Sequence, residues 1–248
     1  MKIGIKTFAD EIGYELVSKV GGYADFVEIM PVPGKEYKQF GNFNLEFRVH
    51  APHQDFGMDP ADRSLWTRTE QCIRLAKEAA DFFHSPTIIV HPGIYHGTES
   101  IANAINCLTR FNDSRFLIEN LPAEVPNERK YICSTAEEAK QFIEALGCGL
   151  CLDFEHATQT GYVLGTGYKP IIGEFLKLNP DYFHINGGYT REFIMHKSIF
   201  EGDFDIPFFI GCIPTDSIVV LETPQDTEVM QEEIKFLKSI FGKIRGKQ

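Results

Sequence analysis

The chain has 248 residues, of which 43% are hydrophobic and 24% charged, the balance of an ordinary globular protein. No apolar run approaches the ~20 residues that a membrane span requires, which excludes an integral helical membrane protein. The formal net charge of −11 argues against a broad nucleic-acid-binding surface, although a local basic groove is compatible with it.

Compartment and domain organisation follow from the same composition. Residues 1–5 have the pattern of a strand and not of a signal peptide, so we expect a cytoplasmic protein. Several of the six cysteines lie in apolar runs, which favours buried, reduced thiols. There is no linker, repeat or low-complexity segment, so we expect residues 1–248 to form a single domain, and we expect a monomer.

Eight short apolar runs have the composition of buried strands, rich in β-branched and aromatic residues. In chain order they span residues 2–8, 26–30, 47–50, 87–91, 116–119, 150–153, 182–185 and 218–222. Apolar residues at helical spacing predict helices over residues 65–83, 100–111, 135–146, 170–178 and 228–240. Alternating strands and helices imply parallel strands, and eight of them in about 250 residues predict an α/β fold, a single (β/α)8 TIM barrel.

The alternation weakens in two places. Residues 31–46 contain Pro33, Gly34 and Gly41, which leave no room for a good helix. Residues 186–206 form a long segment rich in glycine, charge and aromatic residues. A long loop that follows a barrel strand is more often functional than disordered, so we expect this one to lie at the site.

Six of the apolar runs end in a residue that can bind a metal ion. These residues are His50, His91, Glu119, Asp153, His184 and Glu222. The ends of parallel barrel strands meet on one face, where catalytic residues lie, so the sequence predicts a metal site at the C-terminal ends of the strands. Two histidines in flanking segments extend the set, His156 just after the sixth run and His196 in the long loop.

The number of candidate ligands predicts how many metal ions the site holds. One catalytic metal takes three or four protein ligands, so eight candidates predict two or three divalent ions. A carboxylate such as Glu119 can bridge two ions, and neighbouring ions suit hydrolysis of phosphate esters. A single histidine at a strand end is commonly structural, but Glu119, Asp153 and Glu222 follow buried runs, where an unpaired carboxylate is expensive.

Two other interpretations use fewer of these residues. Glu119, Asp153, His184 and Glu222 alone would make a one-metal site that holds neighbouring oxygens of a sugar. Glu119 and Glu222 would then be catalytic and move a proton between adjacent carbons, as in a sugar or sugar-phosphate isomerase or epimerase. A third possibility is a barrel that binds a metal-chelated metabolite without turnover.

The strand-end motifs resemble those of the endonuclease IV branch of the xylose-isomerase-like TIM barrels. The resemblance runs from His50 to Pro224. Its motifs are His50-Ala51-Pro52, His91-Pro92-Gly93, Glu119-Asn120, Asp153 with His156-Ala157, His184-Ile185-Asn186 and Glu222-Thr223-Pro224. The most specific of them is the Asp153 motif, which Gly161-Tyr162 follows as in the family.

The resemblance implies cleavage of the DNA backbone at abasic sites, as in DNA repair, by metal-bound hydroxide. It implies zinc ions, or manganese in some relatives, and a substrate that is abasic DNA or a small phosphoester. By resemblance His50, His91 and Glu119 hold one ion, Glu119, Asp153, His184 and Glu222 hold a second, and His156 and His196 hold a third. The chain departs from the family at Ile194, where an acid is usual, and Glu192 or Asp203 are possible substitutes.

Overall fold

Eight parallel strands close into a barrel in the computed structural model, which describes residues 1–126, 129–194 and 196–245. The strands are β1 (Lys2–Phe8), β2 (Phe26–Met30), β3 (Phe47–His50), β4 (Ile88–Val90), β5 (Phe116–Glu119), β6 (Glu124–Val125), β7 (Arg129–Lys130), β8 (Gly149–Asp153), β9 (Tyr182–Ile185) and β10 (Ile218–Leu221). Strands β6 and β7 form a separate antiparallel pair. The other eight pair in chain order, and β10 closes the ring onto β1. The predicted TIM barrel is therefore confirmed.

The helices are α1 (Glu11–Val20), α2 (Trp66–Phe83), α3 (Ser100–Thr109), α4 (Ala136–Leu146), α5 (Phe154–Val163), α6 (Tyr168–Leu176), α7 (Ile206–Cys212) and α8 (Thr227–Arg245). The sequence patterns miss α1, α5 and α7. Helix α5 is buried along most of its length, but most of its buried residues are polar, so its sequence lacks the apolar stripe that predicts a helix. Its start is nevertheless encoded, because the Asp153 side chain accepts a hydrogen bond from the His156 N–H as an N-cap. Among the described residues, no helix is both long and apolar enough to cross a membrane.

The apolar core has two parts. The larger part lies between the strands and the surrounding helices. The smaller part fills the inside of the barrel with Phe26, Ile89, Cys151, Tyr182 and Val220. The Arg48 guanidinium lies 5.0 Å from the centroid of the Phe26 ring and 5.8 Å from that of Tyr182, so it joins this inner layer through its flat face.

The loops at the C-terminal ends of the strands differ in structure. Residues 31–46 contain only a short 3-10 helix (Lys38–Asn42), as the breakers in that segment predict. The described part of the 186–206 segment is a long loop, also as predicted, and Gly187 exchanges backbone hydrogen bonds with Lys197. A Cβ on Gly187 would lie 1.7 Å from the Ser198 carbonyl oxygen, so only glycine permits this close approach.

Candidate metal centre

The candidate metal centre is formed by one inward-facing residue near the C-terminal end of each barrel strand. Side chains alternate between the faces of a strand, so the residue two positions after an inner-core residue also points inward. Phe26, Ile89 and Tyr182 are followed in this way by Glu28, His91 and His184. The complete set is Lys6, Glu28, His50, His91, Glu119, Asp153, His184 and Glu222. All eight are ionisable, at a depth where TIM barrels usually hold branched apolar residues.

His50 and His91 converge on one oxygen of Glu119. The Nε2 atoms of the two histidines lie 3.1 and 3.0 Å from Glu119 Oε2. The other ring nitrogen of His50 lies 2.7 Å from the Ala51 carbonyl oxygen, and that of His91 lies 3.0 Å from Gln54 Oε1. An Nδ1–H donated to these acceptors leaves each Nε2 lone pair free and directed at Glu119, the arrangement of a metal-ligating histidine.

The second oxygen of Glu119 faces a different group of residues. Glu119 Oε1 lies 3.2 Å from His184 Nδ1, which is itself 2.9 Å from Glu222 Oε1. With Asp153 these residues form a fully buried set whose ligand atoms lie within 4.8 Å of one another. The Asp153 Oδ1 atom caps helix α5, whereas its buried Oδ2 has no hydrogen-bond partner among the described residues. A bound cation could provide the partner that this oxygen lacks.

The carboxylates of this set differ in their affinity for protons. Burial raises the pKa of Asp153 to about 7, and the charges of Glu222 and Glu119 act in the same direction. Burial also opposes ionisation of Glu119, but the imidazoles of His91 and His184 outweigh it and hold the pKa of Glu119 well below its usual range. The site therefore holds more buried acidic groups than positive charges to balance them, and a bound divalent cation would restore the balance.

Glu28, which the strand-end motifs do not include, orients His184. Glu28 Oε2 lies 3.1 Å from His184 Nε2 and accepts a hydrogen bond of 2.6 Å from the Tyr182 hydroxyl. An Nε2–H donated to Glu28 directs the Nδ1 lone pair of His184 towards Glu119 and Glu222. Glu28 also belongs to a possible ligand group with His50 and Glu222. The sequence feature that could have revealed Glu28 is an acid in the middle of the apolar run Phe26–Met30.

Lys6, which the strand-end motifs also do not include, is the only Lys or Arg among the eight inward-facing residues. Its ammonium group forms an ion pair with Glu222 and lies 3.9 Å from Glu28 Oε1. Burial acts to lower the pKa of Lys6, but the charges of Glu222, Glu119 and Glu28 raise it above its ordinary value. Lys6 is therefore a fixed positive charge on the wall of the site.

His156 and His196 fall outside the three possible ligand groups among the described residues, whereas the other six predicted ligands belong to them. His156 Nδ1 lies 2.8 Å from the Asn120 carbonyl oxygen. His196 Nδ1 lies 3.6 Å from Glu222 Oε2 and 3.6 Å from Glu155 Oε2. A third ion held by these two histidines stays a prediction.

Glu155 is a second acid, besides Glu222, that lies near His196. Its Oε2 accepts hydrogen bonds from Asn186 Nδ2 at 2.6 Å and from the His196 N–H at 3.2 Å. Of the substitutes that the sequence suggested for the acid missing at Ile194, Asp203 is engaged elsewhere, because it accepts hydrogen bonds from Thr190. Burial raises the pKa of Glu155 well above its ordinary value, and the neighbouring Asp153 adds to the effect.

A buried acid on helix α8 joins the His196 loop to the strand end that carries Glu222. Glu233 Oε1 accepts hydrogen bonds from Ser198 Oγ at 2.7 Å and the Ile199 N–H at 2.9 Å. Its Oε2 accepts one of 2.6 Å from the hydroxyl of Thr223, the residue after Glu222. Glu233 is fully buried, so these three donors provide its solvation.

The comparisons with known proteins agree with this architecture. A model of the family described as xylose isomerase-like TIM barrel matches residues 9–240. The chain belongs to this family. It is also 25% identical to a probable endonuclease 4 of Thermosipho melanesiensis over 248 aligned positions, which cover 88% of this chain and 83% of that protein.

Solved structures that share the fold of this xylose isomerase-like protein belong to proteins of different kinds. A D-tagatose 3-epimerase-like protein superposes with a TM-score of 0.71 at 20% identity, covering 98% of this chain and 99% of that one. Endonuclease IV from Thermus thermophilus superposes with a TM-score of 0.67 at 16% identity, covering 98% of this chain and 100% of that one. At these identities the likeness shows the shared fold and does not separate the two activities.

Proposed function

We propose that the protein is a metal-dependent phosphodiesterase of the endonuclease IV type, which hydrolyses the DNA backbone at abasic sites or a related phosphoester. The observation that carries this proposal is the placement of Glu119. One of its oxygens faces Nε2 of His50 and His91, and the other faces Nδ1 of His184. A carboxylate shared by two ligand groups supports two neighbouring ions, the arrangement that suits attack on a phosphate.

The ligand atoms fit divalent ions. The proposal assigns one ion to His50, His91 and Glu119, a second to Glu119, Asp153, His184 and Glu222, and a third, where bound, to His156 and His196. Imidazole and carboxylate ligands together suit zinc, and manganese is the alternative. Bound ions would polarise the phosphoryl oxygens and lower the pKa of a water molecule. In hydrolysis the water oxygen bonds to phosphorus, the ester P–O bond breaks, and the displaced oxygen receives a proton.

The protein's own groups would position the substrate. The Lys6 ammonium lies on the cavity wall beside Glu222, where it can bind a phosphoryl oxygen. Gln54 and Glu28 hold the rings of His91 and His184 in their ligand orientations. These contacts fix the site before a substrate arrives, which reduces the cost of reorganisation during the reaction.

A one-metal sugar isomerase or epimerase is the second candidate, and one observation favours it. Glu119 Oε1 and Glu222 Oε1 both lie within 3.2 Å of His184 Nδ1, so two carboxylates face the same small volume. Such a pair could remove a proton from one carbon of a sugar and return it to the next. This candidate gives His50 and His91 no role in the reaction.

The first test is metal analysis of the purified chain, followed by incubation of the metal-loaded protein with abasic duplex DNA and small phosphodiesters. We expect at least two ions per chain and hydrolysis of an ester. One ion per chain with no hydrolysis of any ester would refute the proposal. Exchange of carbon-bound hydrogen with solvent deuterium in a panel of sugars would instead support the epimerase.

A variant separates the two candidates. His91→Ala removes a ligand of the first group only, so hydrolysis should fall by more than the roughly 10–100-fold typical of residues outside the ligand sphere. One-metal isomerisation should be largely retained. His84→Asn is the matched control, because His84 ends helix α2 in a left-handed conformation that asparagine tolerates. Equal loss of an observed isomerase activity in His91→Ala would contradict this distinction.

A further inference from the structure

The candidate metal centre lies at the bottom of a cavity of about 360 Å³, whose lining includes His91, Glu119 and Glu222. Small-molecule sites commonly measure about 300–1,000 Å³, so this cavity matches a small ligand taken up whole. A second lobe of about 230 Å³ adjoins it, and the two share Lys6, His53 and Glu222 in their walls. The reactive centre is thus reached through a small, partly open cavity and not from a flat face.

A partly exposed ion pair lies on one side of the cavity. Arg129 Nη1 on the β6–β7 pair lies 3.1 Å from Asp55 Oδ1 on the 3-10 helix Gln54–Phe56. The lining of the cavity also includes the apolar side chains of Leu121, Pro122 and Val125. An extended, stiff polyanion would have to pass this pair and wall to bring a backbone phosphate to Glu119.

The charges of the site do not suit a polyanion. Among the described residues that line the main cavity, only two, Lys6 and Arg129, are Lys or Arg. The loop 186–205 carries two basic residues and four acidic ones, namely Arg191, Lys197, Glu192, Glu201, Asp203 and Asp205. Duplex DNA is bound through many Lys and Arg contacts to phosphates, and such a set is absent from this lining.

We infer that the substrate is a small phosphate ester that enters the cavity whole, and not a duplex nucleic acid. The phosphoryl group would lie at the Glu119 centre beside Lys6, and the organic group would occupy the second lobe. That lobe offers a mixed surface for it, with Met30 and Pro224 beside Thr223 and Gln225. This inference narrows the proposed function and rests on it, because it names the substrate class of the same site.

The test compares two substrates on one zinc-loaded preparation. Bis(p-nitrophenyl) phosphate and a duplex oligonucleotide with a single abasic site are assayed for kcat/KM across a range of salt concentrations. A protein that makes six to ten phosphate contacts loses about 10³–10⁵ in DNA affinity between 50 and 200 mM salt. We expect the small diester to have the higher kcat/KM, with little dependence on salt.

A binding measurement gives a readout that does not depend on turnover. Phenyl phosphate is titrated by calorimetry, and a fluorescent duplex with a stable abasic analogue is titrated by anisotropy. We expect saturable binding of phenyl phosphate and none of the duplex at physiological salt. If Lys6→Met loses phenyl phosphate binding and Lys169→Met, on the outer helix α6, retains it, the ligand binds at the cavity wall beside Lys6.

The outcomes separate this inference from the proposed function. Preferential nicking of the duplex with a steep salt dependence would overturn the small-substrate inference and leave the phosphodiesterase intact. If neither ester is hydrolysed, the phosphodiesterase fails, and binding decides the ligand class. Phenyl phosphate binding without duplex binding would then support a small anionic ligand, and any other binding result would overturn it.

Discussion

Glu233 offers the sharpest test of how the site is held in place. Its buried carboxylate accepts hydrogen bonds from Ser198, Ile199 and Thr223, and these donors belong to the two segments that carry His196 and Glu222. Glu233→Ala leaves three buried donors without a partner. At about 1–3 kcal/mol for each unsatisfied group, the loss in the free energy of unfolding should be about 3 kcal/mol or more.

Two further variants isolate the cause. Glu233→Gln keeps one acceptor oxygen and nearly the same volume, so its loss should be smaller than that of Glu233→Ala. Glu232→Ala removes an exposed acid from the neighbouring position of the same helix, and exposed changes of this kind usually stay within about 0.5 kcal/mol. Urea denaturation of the metal-free protein at neutral pH measures all three against the wild type.

Hydrogen exchange locates the effect in the structure. The Ile199 amide donates to Glu233 Oε1, so its exchange should accelerate in Glu233→Ala and stay unchanged in Glu232→Ala. Equal free energies of unfolding for Glu233→Ala and Glu232→Ala would contradict this role of Glu233. Exchange of the Ile199 amide at the wild-type rate in Glu233→Ala would contradict it as well.

Three other predictions test separate parts of the molecule. The Arg115 guanidinium holds the pKa of Asp113 at about 2, so the pair stabilises the fold above the ordinary aspartate pKa and loses this effect as the pH falls towards 2. Asp113→Asn should therefore cost roughly 1 kcal/mol at pH 7, since solvent screens this partly exposed pair, and a gap that persisted at pH 2 in urea titrations would contradict this. Gly187→Ala should lower the melting temperature by several degrees, because its Cβ would collide with the Ser198 carbonyl oxygen. Gly173→Ala should not, because beyond the backbone of its own helix a Cβ there meets no described atom within 4 Å. Zinc should raise the melting temperature of the wild type. The rise should be much smaller for Glu119→Gln, because this substitution weakens both ligand groups. Equal rises in the two proteins would argue against a shared carboxylate.

Much of the fold could be predicted from the sequence because barrel strands are short, apolar and separated by helices. The eight runs correspond to the eight barrel strands, with small shifts: β4 ends at Val90 and β10 at Leu221, so His91 and Glu222 lie just beyond their strands. Helices α5 and α7 were missed since their apolar residues do not form a single stripe. The β6–β7 pair was missed because each of its strands has only two residues.

The candidate site was predicted only in part, for a reason that lies in the barrel geometry. Strand-end motifs pointed to His50, His91, Glu119, Asp153, His184 and Glu222, and the structure brings these six together. Lys6 and Glu28 were overlooked because they lie inside their runs and not at the ends. The two-residue alternation could have found them. Glu155 could not be found in this way, since its position depends on how α5 packs against the His196 loop.

The inward-facing ring of ionisable residues also constrains how this protein can change over time. Glu28 contacts both Tyr182 and His184, and Glu119 contacts His50, His91 and His184. A single substitution at either acid therefore leaves more than one side chain without its partner. An isolated charge or donor at such depth costs several kcal/mol. Neutral drift should therefore be slow at these positions, and replacements should occur in compensating pairs, whereas the outer helices can diverge one residue at a time.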